Sequence, residues 1–184
     1  MDHRIVLAVV LISTSAVFAT ADGVYLHLYK YRLFARADSR TEHWTHSIRA
    51  LMFGPIVYLL FAHPYAGVVL WATLGLVVVD FGVQSWDVLV ERGSRATLGG
   101  LTPVEYWIHV AAITTHVAAV TLILVTRPDG AWSLSAGTVA PGPWPSLAHW
   151  TALAIAPGAV GLGVLHLGLM HPRFRRGPDA GAAA

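Results

Sequence analysis

Asp80, Gln84, Asp87 and Glu91 recur along one apolar segment of the sequence, and Glu105, His109 and His116 along the next. At about 100° per residue the first four fall within an arc of roughly 60° of a helix and the other three within roughly 40°, so each segment carries a single polar stripe. Acids and imidazoles on otherwise apolar helices are costly to bury unless they pair, bind a cation or move protons. Oxygen and nitrogen ligands of this kind suit iron, manganese and zinc. The chain contains no cysteine, which removes disulfides, thiolate metal sites, iron–sulfur clusters and cysteine catalysis together.

The elements that must position these groups follow from composition. Of 184 residues 55% are hydrophobic and 12% charged, with a mean hydropathy of +0.60, a balance that predicts an integral membrane protein. The net charge of +2 bears on topology, and no basic stretch has the character of a nucleic-acid surface. The expected fold is all-α, a single domain over 1–172 with five membrane spans at roughly 5–33, 41–62, 66–92, 103–126 and 146–171, followed by a flexible tail at 173–184. Ala19 and Ala21 before Asp22 also fit a cleaved leader, but the apolar run continues through Val24–Tyr25–Leu26 and favours a span. Thr41 suits an N-cap, Pro55 a kink, and Gly99, Gly100 and Pro103 a turn opening the fourth helix. The first four helices are thereby expected as two antiparallel hairpins. Residues 127–145, rich in Gly, Pro and Ser, are expected as a loop.

Basic residues set the expected orientation. Lys30, Arg32, Arg36 and Arg40 flank one loop, Arg92 and Arg95 another, and Arg173, Arg175 and Arg176 the tail; the positive-inside rule then puts the N-terminus outside and the C-terminus in the cytoplasm, with a bacterial inner membrane as the expected location. Counting about 1.5 Å per residue from each cytoplasmic end places His27, His46, Asp87, His109 and His166 at roughly 8–11 Å, and Asp22, Asp80 and His116 at roughly 18–20 Å. Glu42, Glu91 and Glu105 lie nearer the surface. Singly, each residue has a plainer reading: His27, His149 or His171 as a satisfied or interfacial histidine, Glu42 and Glu91 as partners of Arg40, Arg92 or Arg95, and the deep three as a hydrogen-bonded trio joining helices.

A weak internal repeat runs through the first four spans: Asp22 precedes Glu42-x-x-x-His46, and Asp87 precedes Glu105-x-x-x-His109. The arrangement resembles the di-metal carboxylate plan of ferritin-like bundles, which use Glu-x-x-His, one residue shorter. That resemblance implies a His and carboxylate centre, with His27, Glu42, His46, Asp87, Glu91, Glu105, His109 and His166 as candidate ligands and iron, mononuclear or dinuclear, as the metal. Asp22, Asp80 and His116 are then candidates for proton delivery. The expected function is a membrane oxidoreductase acting on a lipid-soluble substrate such as a quinone. Two alternatives stand beside it: haem b held between His46 or His109 and His166, and a transporter of ions or protons using the same acids. Oligomeric state is not legible from the sequence.

Overall fold

A computed structural model describes residues 2–174, so most of the expected tail, with Arg175 and Arg176, lies outside the described residues. Five helices are long and apolar enough to cross a membrane: α1 His3–Lys30, α2 Arg40–Ala62, α3 Gly67–Ser94, α4 Pro103–Leu124 and α5 Ser146–Leu169. Among the described residues the only β pairing is one isolated bridge, Tyr65 with Val139.

Local chemistry explains where the helices begin and stop. The Asp2 carboxylate accepts from the Arg4 N–H at 2.8 Å and caps α1, and Thr102 does the same for α4 by accepting from the Glu105 N–H at 3.3 Å, ahead of Pro103. Ser39, not Thr41, caps α2, its carbonyl accepting from the His43 N–H at 3.0 Å. The turn after α3 uses Gly99 and Gly100, both at φ 88°, a conformation glycine adopts without strain. The last ten residues of α1, Ala21–Lys30, form a π-helix, and the helix stops where Arg32 turns left-handed at φ 48°.

Pro55 lies within α2, and past it the chain widens into a π-helical end, Tyr58–Ala62. Carbonyls left open at that end need donors. The buried Arg127 donates to Leu60 O at 2.6 Å, Trp144 Nε1 to Phe61 O at 2.8 Å and His149 Nδ1 to Ala62 O at 2.9 Å. Burial pushes the Arg127 guanidinium down to about 10, still cationic at neutral pH. The 127–145 segment is therefore a fitted cap on α2, joined further by the Ala66 N–H to Thr138 O and the Ala140 N–H to Pro64 O.

The principal backbone contacts run between α1 and α4, and from α2 to α3 and α5. This replaces the expected close packing of α1 on α2 and of α3 on α4, and small residues supply the reason. Ser15 on α1 donates to Ala112 O on α4 at 3.0 Å. At Gly54 on α2 an added Cβ would lie 2.7 Å from both Ala156 O and Val160 Cγ2, and at Gly163 on α5 one would lie 2.7 Å from Leu51 Cγ. Backbones approach where side chains are absent, whereas α3 and α4 meet through long polar side chains across a gap.

One end of the bundle is a hydrophobic core. Ile5, Ala8, Val9 and Ile12 from the start of α1 meet Ile56, Leu60 and Phe61 from the end of α2, Ala119, Val120 and Ile123 from the end of α4, and Ala148 and Ala152 from the start of α5. The alternate running of the helices brings the ionisable groups together towards the other end. Many large apolar side chains point outward, Leu7, Val78, Leu89, Trp107 and Trp150 among them, as a lipid-facing surface requires. Gly54→Ala is expected to lower the thermal unfolding midpoint in detergent, with overpacking costing about 1–3 kcal/mol. Gly158→Ala, whose Cβ meets nothing within 4 Å, should leave the midpoint unchanged.

Candidate metal centre

The π-helical turns of α1 present Asp22 and His27 to the bundle interior, and α2 brings His46 to the same point. Asp22 Oδ1 lies 3.2 Å from His27 Nε2, Asp22 Oδ2 lies 3.7 Å from His46 Nδ1, and the His27 and His46 rings are 3.9 Å apart at 74°. One donor atom from each of the three residues falls within 4.8 Å of the other two, a group that could hold a metal ion. Bonds of about 2.0–2.2 Å to a shared metal place ligand atoms about 3 Å apart, so the three donors would draw together from separations of up to 4.8 Å on binding an ion.

Each donor is oriented by a further group behind it. His46 Nε2 faces Asp87 Oδ2 at 3.0 Å, and Thr45 donates to Asp87 in turn. His109 Nε2 donates to Asp22 Oδ1 at 2.8 Å, and its Nδ1 faces Glu91 Oε1 at 2.9 Å. Carboxylates backing imidazoles fix ring orientation and raise ligand basicity. Carboxylates only accept, so His109 donates from Nε2 to Asp22, while its Nδ1 side faces Glu91. Asp87, Glu91 and His109, expected as ligands or, for Glu91, as a ligand or a support, thus lie around the converging group, Asp87 behind His46 and His109 between Asp22 and Glu91.

Glu42 and Glu105, expected as carboxylate ligands, flank a buried guanidinium. Arg95 is 0% exposed, and its guanidinium lies 2.8 Å from Glu42 Oε2 and 2.6 Å from Glu105 Oε1. It also lies 3.2 Å from His27 Nε2 and over the Tyr31 ring at 4.9 Å. Against burial, which works the other way, the two carboxylates hold its pKa above the ordinary value. One oxygen of each carboxylate is thus held by Arg95, while Glu42 Oε1 lies 3.5 Å from His27 Nε2, and neither Glu42 Oε1 nor Glu105 Oε2 has a hydrogen-bond partner among the described residues.

Asp22 moves in the opposite direction. The depth count grouped it with Asp80 and His116, but it sits among His27, His46 and His109. The count assumed ordinary α-helix to residue 33, whereas α1 ends at Lys30 in π-helical turns, which bring Asp22 closer to that end. Asp80 and His116 do face one another, with His116 Nδ1 3.9 Å from Asp80 Oδ2, and Arg49 joins them to the centre at 3.7 Å from Asp87 and 3.9 Å from Asp80. His166 stands apart from the converging donors, stacked on His43 with ring centroids 4.8 Å apart and planes at 4°.

His166 borders the cavity together with Asp22, His46 and His109, and although His43 Nε2 donates to its backbone carbonyl at 2.9 Å, neither ring nitrogen of His166 has a hydrogen-bond partner among the described residues. The hydrophobic core fills the far end of the bundle.

A cavity of about 660 Å³ extends from the centre. Asp22, His46, His109 and His166 border one part of it, Arg49, Gln84, Asp80 and His116 another, and apolar side chains from α1, α4 and α5 the rest. Charge also marks the region: the carboxylates of Asp22, Glu42, Asp87, Glu91 and Glu105 outnumber the guanidiniums of Arg49 and Arg95. Protonated imidazoles or a bound cation must balance the remainder.

Sequence reasoning offered Arg95 as a partner of Glu42, the pairing seen here, but missed its contacts with Glu105 and His27 and the places of Arg49 and Thr45. Arg95 is the fourth residue after Glu91 and was weighed chiefly as a topological charge; the signal for its burial was a pair of acids, Glu42 and Glu105, opening the helices on either side of it. Comparison with protein-family models, curated proteins and solved structures finds no match for the chain. The centre is therefore defined by its own geometry.

Removing one partner of a buried ion pair costs about 3–5 kcal/mol. Arg95→Leu should lower the unfolding midpoint accordingly, and adding Glu42→Gln and Glu105→Gln should recover part of the loss. Recovery in the triple variant, read by thermal unfolding, separates charge imbalance from lost packing.

Proposed function

We propose that the protein is a membrane-embedded oxidoreductase with one non-haem iron ion held by Asp22, His27 and His46, acting on a lipid-soluble substrate in the adjoining cavity. The observation that carries this reading is the convergence of two imidazoles and one carboxylate on a single point beside that cavity. Two histidines and one carboxylate with open positions are the donor set of non-haem iron oxygenases. Iron bound in this set supplies dioxygen activation, with the organic substrate as the source of electrons.

The chain's own residues do the rest. Asp87 holds His46 in the orientation that presents Nδ1, and His109, anchored by Glu91, orients Asp22. Ligation by His27 Nε2 competes with its contact to Arg95, which tempers His27 while holding one oxygen each of Glu42 and Glu105. The cavity is bordered by Val17 and Thr20 of α1 and by Ala154 and Gly158 of α5, all exposed on the outer surface of the bundle. Its mouth thus faces the side of the bundle, as access from lipid requires. The basic loops at 30–40 and 92–95 support assigning this end of the bundle to the cytoplasmic half of the membrane.

Elemental analysis of the purified protein should find about one iron per chain, a stoichiometry that follows from a single facial donor set. Asp22→Ala and His46→Ala should each reduce it at least tenfold, while Glu105→Gln, which has no ligand role here, should retain it. A Soret band with no non-haem iron would sink the reading. Because the chain lacks cysteine, single cysteines at 38 and 97 report orientation cleanly. Both should resist an impermeant thiol reagent added to sealed cells and react after lysis.

A further inference from the structure

The part of the cavity farthest from the converging donors has chemistry that the metal reading does not use. Asp80 is 1% exposed and His116 3%, yet neither Asp80 oxygen, nor His116 Nε2, has a hydrogen-bond partner among the described residues. Both residues border the cavity. A buried polar group without a partner costs about 1–3 kcal/mol, and here three such atoms gather at one place.

The spacing of the group suggests what it takes. Asp80 Oδ2 is 3.9 Å from His116 Nδ1, and Asp80 Oδ1 is 3.9 Å from Arg49 Nε. These gaps are too long for hydrogen bonds, but an oxygen about 2.8 Å from each atom fits between either pair. Carboxylate on one side and guanidinium and imidazole on the other offer an acceptor and donors to the same oxygen. Phe53 packs edge-on against His116, centroids 5.3 Å apart at 86°, and also borders the cavity, which provides an aromatic wall for a planar ring. An anionic headgroup is disfavoured by Asp80 and by the depth of the site. Water would satisfy the gaps as well, but it would leave the apolar remainder of a cavity the size of a ligand site unexplained.

We infer that Asp80, His116 and Arg49 form a headgroup site for a lipid-soluble ring bearing hydroxyl or keto oxygens, the quinol and quinone class. Such a ring carries oxygens on opposite sides, so one is held by this group, a quinol hydroxyl donating to Asp80 and a quinone keto oxygen accepting from Arg49 or His116, while the other faces the imidazoles of the centre. The hydrophobic tail leaves through the mouth beside Gly158. This assignment rests on the cavity being the substrate chamber, and it requires no metal for binding.

The test uses the full chain in phosphatidylcholine nanodiscs under anaerobic conditions, with binding of decyl-1,4-benzoquinol and of its 1,4-dimethyl ether followed by isothermal titration. The quinol should bind at least tenfold more tightly than the ether, which cannot donate to Asp80. Asp80→Asn and His116→Leu should each weaken the quinol at least tenfold while iron content is retained, and neither should change binding of the ether. Gly158→Leu, which fills the mouth, should abolish binding of both. His46→Ala should lose iron and keep the quinol. Equal binding of quinol and ether, no binding of the quinol, or indifference to both the Asp80 and His116 substitutions overturns the site. So does loss of quinol binding in His46→Ala, which would put the headgroup at the metal end. Absence of iron from the unaltered protein would sink the metal reading alone, since the headgroup comparison stands without it.

Discussion

A guanidinium with no exposure to solvent, Arg95, holds the polar end of this bundle together. It ties Glu42 of α2 to Glu105 of α4 from the end of α3 and reaches His27 of α1, so four helices depend on one side chain. Isolated charges in such a place would be expelled or neutralised, and a buried ion pair is tolerated only when hydrogen bonds satisfy most of its atoms. The Arg95 group meets that condition through two carboxylates, an imidazole and an aromatic face. Its consequence for chemistry is indirect: it holds one oxygen each of Glu42 and Glu105 beside the point where Asp22 meets His27 and His46.

The molecule is divided between two kinds of packing. At one end small and aliphatic residues bring α1 onto α4 and α2 onto α5, and the open carbonyls of α2 are capped by Arg127, Trp144 and His149. At the other end side chains long enough to carry charge keep the helices apart, and the spacing they impose opens the cavity. Rigidity in the first half lets the second tolerate polar groups without hydrogen-bond partners. Asp80 and His116 lie where the two regimes meet, which gives the cavity a second polar group, linked to the converging donors through Arg49.

Most of the framework was legible in the sequence because it depends on local physics. Apolar runs of spanning length, the Gly99–Gly100–Pro103 turn and the facing stripes on α3 and α4 follow from hydropathy, glycine's access to positive φ and the helical repeat. That polar residues of five helices gather towards one end was also legible, from spacing and the alternation of basic loops. Which of them touch was decided by tertiary structure. A helix's repeat specifies the face of a residue, but contact also requires depth, and depth depends on where a helix stops and how many residues it spends per turn. The π-helical end of α1 moved Asp22 from the company of Asp80 to that of His27 and His46. Likewise the acids of Glu42 and Glu105 were visible as residues, but their capture by Arg95 depends on a loop-end side chain folding inward between three helices. Electrostatic pairing across long sequence separations has no periodic signature, so the sequence determined the inventory of ionisable groups and the end of the bundle that holds them, and only the packed structure assigned each one a partner.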